Sequence, residues 1–222
     1  MNKAVMISIH PKWCELIANG KKTFEVRKTK PKLQPPFKVY IYCTQHGKQF
    51  FHGGISGKQN LFKNPDTGKI KFDYAFELMV CEKEYTEDNI LSGKVIGEFV
   101  CDKIEIFRYD ALYMAYMARK YRDAKLVDEE FCVGTQVSYQ EAYDYCEGMT
   151  FGDIFYGWHI SNLVIYDKPK ELNEFCRNGE CDKCGWFENG KCYKKSEQST
   201  YNNHRIKRPP QSWCYVEEQD NE

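Results

Sequence analysis

A segment near the amino terminus places a short helix between two β-strands, and it is the strongest constraint that the sequence sets on the fold. Alternating apolar residues predict the first strand, and the helix is predicted to begin at Pro11 and to end before Gly20. Apolar and charged residues alternate again from Phe24 to Arg27, which predicts a second strand. Because side chains alternate between the two faces of a strand, Glu25 and Arg27 are expected to share a face.

A short charged pattern follows the predicted helix. Its members form a Gly-x-Lys-x-x-Glu-x-Arg motif, and they are Gly20, Lys22, Glu25 and Arg27. The motif resembles the mark of the ASCH domain family, which belongs to the PUA-like superfamily. Two later segments extend the resemblance, because residues 93–104 look like a middle strand of that fold and residues 157–166 look like its last strand. The chain also resembles the ASCH proteins that phages and prophages carry.

The resemblance implies an α+β fold in which a PUA-like small β-barrel is flanked by helices. We predict that residues 1–172 form this ASCH domain and that residues 173–222 form a cysteine-rich extension, similar to a zinc knuckle. Glycines are frequent between residues 44 and 71, and this stretch is predicted to be a long loop inserted between strands.

Two further helices are predicted in the second half of the chain. Asp110 precedes apolar residues at helical spacing and is expected to cap a helix that ends near Tyr121. Ser138 and Glu141 have the spacing of a capping box and predict the start of another helix, with Gly148 beyond its end.

The charge of the chain is balanced, with 32 lysines and arginines against 32 aspartates and glutamates. A net charge of zero argues against a surface coated with basic residues, but it is compatible with a local patch that binds nucleic acid. The candidate patch surrounds the second strand and consists of Lys21, Lys22, Arg27, Lys28, Lys30 and Lys32. Such a run is equally typical of a solvated loop.

The sequence also bears on the cellular compartment. Asn2 and Lys3 are polar and no apolar h-region follows them, so no secretory signal is predicted. No apolar stretch reaches the length of about 18 residues that a membrane-spanning helix needs. The cysteines number 11, and an odd count of scattered cysteines is typical of a reducing compartment. We therefore expect a cytoplasmic protein without a membrane span.

Cysteines near the carboxyl end have the spacing of zinc ligands. The preferred quartet contains one Cys-x-x-Cys pair, and it consists of Cys181, Cys184, Cys192 and Cys214. Four thiolates suit a tetrahedral zinc ion, and Cys176 and His204 are alternative ligands. The predicted role is structural, because a closed four-cysteine site leaves no position for a reactive water. Unligated thiols in a tail are the alternative.

The ASCH resemblance implies a cleft between the barrel and the first helix that binds RNA or a single nucleobase. The residues expected to contact the ligand are His10, Trp13, Lys22, Glu25, Arg27, Lys28 and Trp158. Arginine and lysine donate to phosphates or base edges, glutamate accepts from a base N–H, and tryptophan stacks on a ring. The structural alternative is that Glu25 only pairs with Arg27 and that Trp13 and His10 serve packing.

A small hydrolase is the main functional alternative to an RNA- or nucleotide-binding protein. Some ASCH relatives are amidohydrolases of acetylated cytidine that use a lysine, a threonine three residues later and a distant glutamate, and others are ribonucleases. Here Lys22 keeps the lysine position, whereas Glu25 replaces the threonine and Thr23 falls on the other face of the strand. Lys22 and Glu25 are therefore the candidate catalytic residues, for acid–base work by a lysine whose pKa burial would lower. A binder that sequesters a signalling nucleotide is the third alternative.

Overall fold

The structure is a computed structural model, and it describes residues 2–45, 50–52, 55–76, 89–121, 129–177, 187–188, 191–192 and 205–219. The fold is mixed α+β. The helices are α1 Pro11–Ala18, α2 Tyr109–Tyr121, α3 Glu129–Thr135 and α4 Tyr139–Tyr145, and a 3₁₀ turn covers Leu172–Glu174. The strands are β1 Lys3–Ile9, β2 Phe24–Arg27, β3 Phe37–Cys43, β4 Phe50–His52, β5 Ile55–Lys63, β6 Ile70–Phe76, β7 Val95–Cys101, β8 Ile104–Arg108, β9 Ile154–His159, β10 Ser161–Lys170, β11 Phe187–Glu188, β12 Lys191–Cys192 and β13 Trp213–Glu217.

The chain divides into two compact units. The first unit consists of Met1–Glu15, Phe37–Phe99 and Leu163–Glu222, and the second consists of Leu16–Pro36 and Val100–Asn162. A five-stranded sheet in the order β10-β7-β3-β1-β13 lies mainly in the first unit. The second unit holds a three-stranded sheet in the order β2-β9-β8 together with α2, α3 and α4.

Strand β1 lies inside the five-stranded sheet and pairs with strands of both directions. It is parallel to β3, with Val5 opposite Val39, and antiparallel to β13, with Val5 opposite Tyr215. From Ala4 to Ile9 it is buried throughout, because it is covered on both faces, as its almost unbroken apolar sequence requires. The aromatic segment Trp213–Glu217 thus returns to the sheet as its edge strand β13.

Residues of the predicted extension belong to the apolar core of the first unit. Phe175, Ile206 and Val216 are at most 2% exposed, and they pack in one cluster with side chains of β1 and β3 that include Met6 and Tyr40. Full burial of one such side chain stabilises a fold by about 1.5–3 kcal/mol. The boundary that the sequence predicts after residue 172 stays a prediction.

The segment expected to be a long loop contains β-strands. Strands β4, β5 and β6 form a separate antiparallel sheet, in which β5 and β6 pair over seven positions from Lys63 with Ile70 to Gly57 with Phe76. The turn between them is closed by the Asn64 side chain, which accepts hydrogen bonds from the backbone N–H and the hydroxyl of Thr67 at 2.8 and 2.9 Å. The many glycines of this segment hide the alternation of apolar and polar residues that would indicate a strand.

The second unit confirms both helices predicted in this part of the chain. Helix α2 ends at Tyr121 as expected, but it begins at Tyr109, so Asp110 lies in its first turn and is not the cap that the sequence predicted. Helix α4 begins after Ser138, whose hydroxyl accepts from the Glu141 N–H at 3.2 Å in a complete capping box. Gly148 follows the end of α4 with a φ of +84°, a conformation that glycine adopts without strain. The sequence did not predict α3.

The prediction of a closed barrel is wrong, since the strands of the described residues form open sheets. Strands β10 and β13 are the edges of the five-stranded sheet, and β2, β8 and β9 pair in a sheet of their own. Alternation along the sequence predicts that a strand exists, but it does not predict the partner of an edge strand, and closure depends on that partner. No helix in the described ranges is long and apolar enough to cross a membrane.

Candidate functional site

Strands β2 and β9 bring the central motif together with two aromatic residues. They pair antiparallel, with Glu25 opposite Trp158 and Arg27 opposite Tyr156. Directly opposed residues of an antiparallel pair lie on the same face of the sheet, and alternate residues of one strand do so too. Glu25, Arg27, Tyr156 and Trp158 therefore share one face, as the period of two predicted for Glu25 and Arg27.

The three charged residues of the motif form one buried cluster. Lys22, Glu25 and Arg27 are 2%, 5% and 8% exposed. The Glu25 carboxylate lies 2.8 Å from the Arg27 guanidinium and 3.6 Å from the Lys22 ammonium. Burial of ionised groups is costly unless they are paired, so a cluster of two cations and one anion needs Glu25 at its centre. We call Lys22, Glu25 and Arg27 the buried charge cluster.

Helix α3 supplies a backbone partner for the lysine of this cluster. The Lys22 ammonium donates to the carbonyl of Thr135 at 2.6 Å. Burial lowers the pKa of Lys22 from its ordinary value, and the neighbouring Glu25 carboxylate opposes that change. Thr23 is directed elsewhere, because its hydroxyl and its N–H both donate to the Gly134 carbonyl, at 3.3 and 2.9 Å.

Two lysines and two tyrosines continue this region of the second unit. The Lys28 ammonium lies 5.4 Å from the centre of the Tyr145 ring and donates to the Glu147 carbonyl at 3.2 Å. The Lys30 ammonium lies 5.6 Å from the centre of the Tyr156 ring. Both lysines are exposed, and Tyr145 is 40% exposed. We call Lys28, Lys30, Tyr145 and Tyr156 the tyrosine–lysine rim.

Tyr145 links the rim to the buried charge cluster. Burial raises the pKa of its hydroxyl, while the charges of Arg27 and Glu25 act on it in opposite directions and a Lys28 hydrogen bond lowers it. This hydroxyl is therefore a hydrogen-bonding group that stays protonated at neutral pH. The cluster and the rim together offer cationic donors, one carboxylate acceptor and two aromatic rings.

The other predicted ligand contacts are placed differently. Trp158 is fully buried opposite Glu25, so a stacking role for it stays a prediction that requires its ring to become accessible. His10 and Trp13 belong to the first unit. The His10 carbonyl accepts from the Trp13 N–H at 2.9 Å, and the Lys12 ammonium lies 4.4 Å from the Trp13 ring. Their part in ligand binding also stays a prediction.

Three residues of this region were missed by sequence reasoning. Tyr156 precedes Trp158 by two positions in β9, so strand alternation could have placed it on the same face. Tyr145 lies at the end of a helix whose start was predicted, but nothing in the sequence connects that end to Glu25. Thr135 contributes its backbone carbonyl. Because every residue has such a carbonyl, the type of residue does not indicate this role.

Most of the predicted zinc ligands cannot be compared with the structure. Cys181 and Cys184 lie outside the described residues, and for Cys192 only the backbone is described. Cys214 lies in β13, where burial raises the pKa of its thiol. The described residues contain no group of three or more histidines, cysteines or acidic residues that could hold a metal. Zinc binding therefore stays a prediction.

The cysteines of the core are structural. Cys14, Cys43, Cys101 and Cys146 are fully buried in the apolar interior. Burial raises the pKa of Cys101 to about 12 and that of Cys146 to about 11. Thiols with such pKa values are poor nucleophiles at neutral pH, so neither is a candidate catalytic group.

Comparison with known families identifies the motif-bearing part of the chain. Residues 7–105 match the family model of the ASCH domain. This part of the chain is similar to ASCH domains. This match includes the buried charge cluster, whereas Tyr145, Tyr156 and Thr135 lie beyond its last residue. ASCH domains are PUA-like and are generally associated with RNA binding.

The chain also matches two solved structures. The crystal structure of an ASCH protein from Zymomonas mobilis is 16% identical, with 96% of this chain and 87% of that chain covered at a TM-score of 0.42. A point-mutant form of that protein is also 16% identical, with 97% and 91% covered at a TM-score of 0.43. No curated protein matches the chain.

Proposed function

We propose that this protein binds single-stranded RNA, or a nucleotide of the same chemistry, at the face of β2 and β9. The observation that carries the proposal is the position of the buried charge cluster beside the tyrosine–lysine rim. Stability of the fold does not require exposed lysines and half-exposed tyrosine rings to lie next to a buried ion pair. Glu25 binds Arg27 at 2.8 Å and so holds the guanidinium in one orientation. A fixed guanidinium is a suitable donor for a phosphate or a base edge.

The rim supplies the contacts that an unpaired strand needs. Lys28 and Lys30 are exposed cations that suit phosphates, and Tyr145 and Tyr156 are rings on which bases stack. The chain as a whole has a formal charge of zero, so its attraction for a polyanion has to come from a local patch of this kind. The proposed mode of binding is therefore stacking plus a few phosphate contacts.

Removal of both rim lysines is expected to weaken RNA binding and to reduce its dependence on salt. Each phosphate contact contributes about 0.7 to the slope of log affinity against log salt for a single strand. The Lys28→Ala, Lys30→Ala double variant should therefore lose affinity for a fluorescent oligoribonucleotide at low salt and should have a flatter slope. Fluorescence anisotropy over a salt series measures both quantities.

A matched control is the Lys69→Ala, Lys207→Ala double variant, which removes two exposed lysines of the first unit. It has the same change in net charge, and we expect it to keep the slope of the unmodified chain. Equal slopes in both double variants would show that Lys28 and Lys30 do not contact RNA phosphates. A free mononucleotide that binds with little salt dependence while RNA does not bind would instead favour nucleotide sequestration.

Hydrolysis is a second candidate, and the lowered pKa of Lys22 favours it. A buried lysine beside a carboxylate at 3.6 Å suits general acid–base catalysis of a modified base or of RNA. Against this, the ammonium is held by the Thr135 carbonyl, and the Thr23 hydroxyl bonds Gly134. Incubation with N4-acetylcytidine and with RNA, followed by chromatography, tests this function. A product that Lys22→Met abolishes would establish turnover.

A further inference from the structure

A groove of about 510 Å³ lies on the second unit, among α2, α3 and the start of α4. Its volume is within the range of about 300–1,000 Å³ that is typical of small-molecule sites. None of the described residues that line it belongs to the buried charge cluster or to the tyrosine–lysine rim. The residues that line it include Tyr116, Lys120, Gln136 and Gln140.

One wall of the groove is an aromatic ring held in place by a second ring. Tyr116 stacks on Tyr143 with a centroid separation of 4.4 Å and an angle of 9° between the ring planes. The Lys120 ammonium lies 5.5 Å from the centre of the Tyr116 ring. A fixed aromatic ring beside a cation suits a planar base that carries a phosphate.

Two glutamines on the groove have oriented amides. The Gln136 amide nitrogen donates to the Val133 carbonyl at 2.6 Å, and the Gln140 amide nitrogen donates to the Asp144 carboxylate at 2.7 Å. Each bond fixes the nitrogen end of the amide, so the carbonyl oxygen is the end that remains to accept from a ligand. Two acceptors on one groove complement the exocyclic amine of adenine or cytosine, and a base without that amine lacks this hydrogen bond.

We propose that this groove is a subsite for one amino-bearing base of the RNA strand, with Tyr116 stacking on the base and Gln136 or Gln140 accepting from its amine. Lys120 is the partner of the adjoining phosphate. This inference rests on the proposed function, and it names the base that the second unit selects. Thr135 joins the two sites along the chain, because its carbonyl accepts from Lys22 and the next residue, Gln136, lines the groove.

The test compares two mononucleotides that differ only in the exocyclic amine of the base. Purine riboside 5′-monophosphate lacks the amine of adenosine 5′-monophosphate and keeps its ring nitrogens, and calorimetric titration of each into the full chain measures its affinity. We expect tighter binding of the adenosine nucleotide. Tyr116→Leu should weaken it about tenfold, as expected for the loss of base stacking. Gln140→Met, which removes the acceptor and keeps the length, should reduce the preference for the adenosine nucleotide over the purine riboside nucleotide.

Tyr113→Leu is the matched control. Tyr113 lies one turn before Tyr116 on α2 and also packs near Tyr143, at 6.1 Å, but it does not line the groove. This variant should bind both nucleotides as the unmodified chain does. A weaker affinity in Tyr113→Leu equal to that in Tyr116→Leu would show that the loss comes from disturbed packing, and it would overturn the proposal.

The outcomes separate this proposal from the proposed function. Absence of adenosine monophosphate binding, equal affinity for the two nucleotides, or an affinity that Tyr116→Leu leaves unchanged would each overturn the groove as a base subsite. RNA binding that depends on Lys28 and Lys30 but not on Tyr116 would leave the proposed function intact and exclude the groove. Adenosine selectivity that depends on Tyr116, in a chain that binds no RNA, would support the groove as a base site and exclude the proposed function.

Discussion

Replacement of Glu25 by glutamine is expected to lower the free energy of unfolding by about 3–5 kcal/mol, the cost of leaving buried charges without their partner. Glu25 is the anion between two cations, at 2.8 Å from Arg27 and 3.6 Å from Lys22, and all three are nearly buried. Glutamine has the same shape, so a cavity does not contribute. Urea unfolding followed by circular dichroism measures the change.

Glu105→Gln is the control for this prediction. Glu105 lies on β8 of the same three-stranded sheet and pairs with Lys103 at 2.8 Å, but both side chains are exposed, at 42% and 55%. Exposed ion pairs contribute about 0–1 kcal/mol, so the control should change stability little. Similar losses of stability in the two variants would contradict this prediction, because they would mean that a buried ion pair contributes no more to stability here than an exposed one.

Lys22→Met is expected to change how stability depends on alkaline pH. Burial lowers the pKa of Lys22 in the folded chain below its ordinary value of 10.5. Between the lowered pKa and 10.5 the unfolded chain binds more protons than the folded chain, so stability rises with pH in that window. Below the lowered pKa, both states are protonated and the folded state bears the whole cost of the buried charge. The unmodified chain should therefore gain stability relative to Lys22→Met as pH rises.

The difference between the two chains isolates Lys22 from other groups that titrate at alkaline pH. Tyr145 and Tyr166 have raised pKa values and make stability fall as pH rises, but both chains contain them. The charges that act on Lys22 are those of Glu25, Arg27 and Glu141. Urea unfolding between pH 7 and about pH 10 gives the two curves. If the difference between the two free energies of unfolding stays constant over this range, Lys22 titrates alike in the folded and the unfolded chain. That result would contradict the effect that we expect from its burial.

The helices of this protein could be predicted where the sequence has local signals. Pro11 and Gly20 delimit α1, and Ser138 with Glu141 marks the start of α4, because capping and left-handed turns depend on neighbouring residues only. Helix α3 has no such signal. The long insertion was expected to be a loop, since Gly57 interrupts the alternation of β5 and the pairing of β5 with β6 depends on residues of another strand.

The candidate site was predicted in part. Strand alternation correctly places Glu25 and Arg27 on one face, yet it does not show that the face is buried, and burial is what turns these charges into a cluster. Tyr145 and Thr135 come from elements far along the chain. Their contribution depends on the packing of α3 against β2 and on the position of Tyr145 beside Lys28, which residue patterns do not encode.

We expect RNA to contact the second unit at the buried charge cluster and its rim, and this contact is the basis of the proposed function. Photo-crosslinking of the full chain to a short single-stranded RNA that contains 4-thiouridine, followed by proteolysis and mass spectrometry, tests it most directly. We expect adducts on peptides that contain Lys28 and Lys30, Tyr145 or Tyr156. Adducts confined to peptides of the first unit, or their absence from an RNA shown to bind, would contradict it.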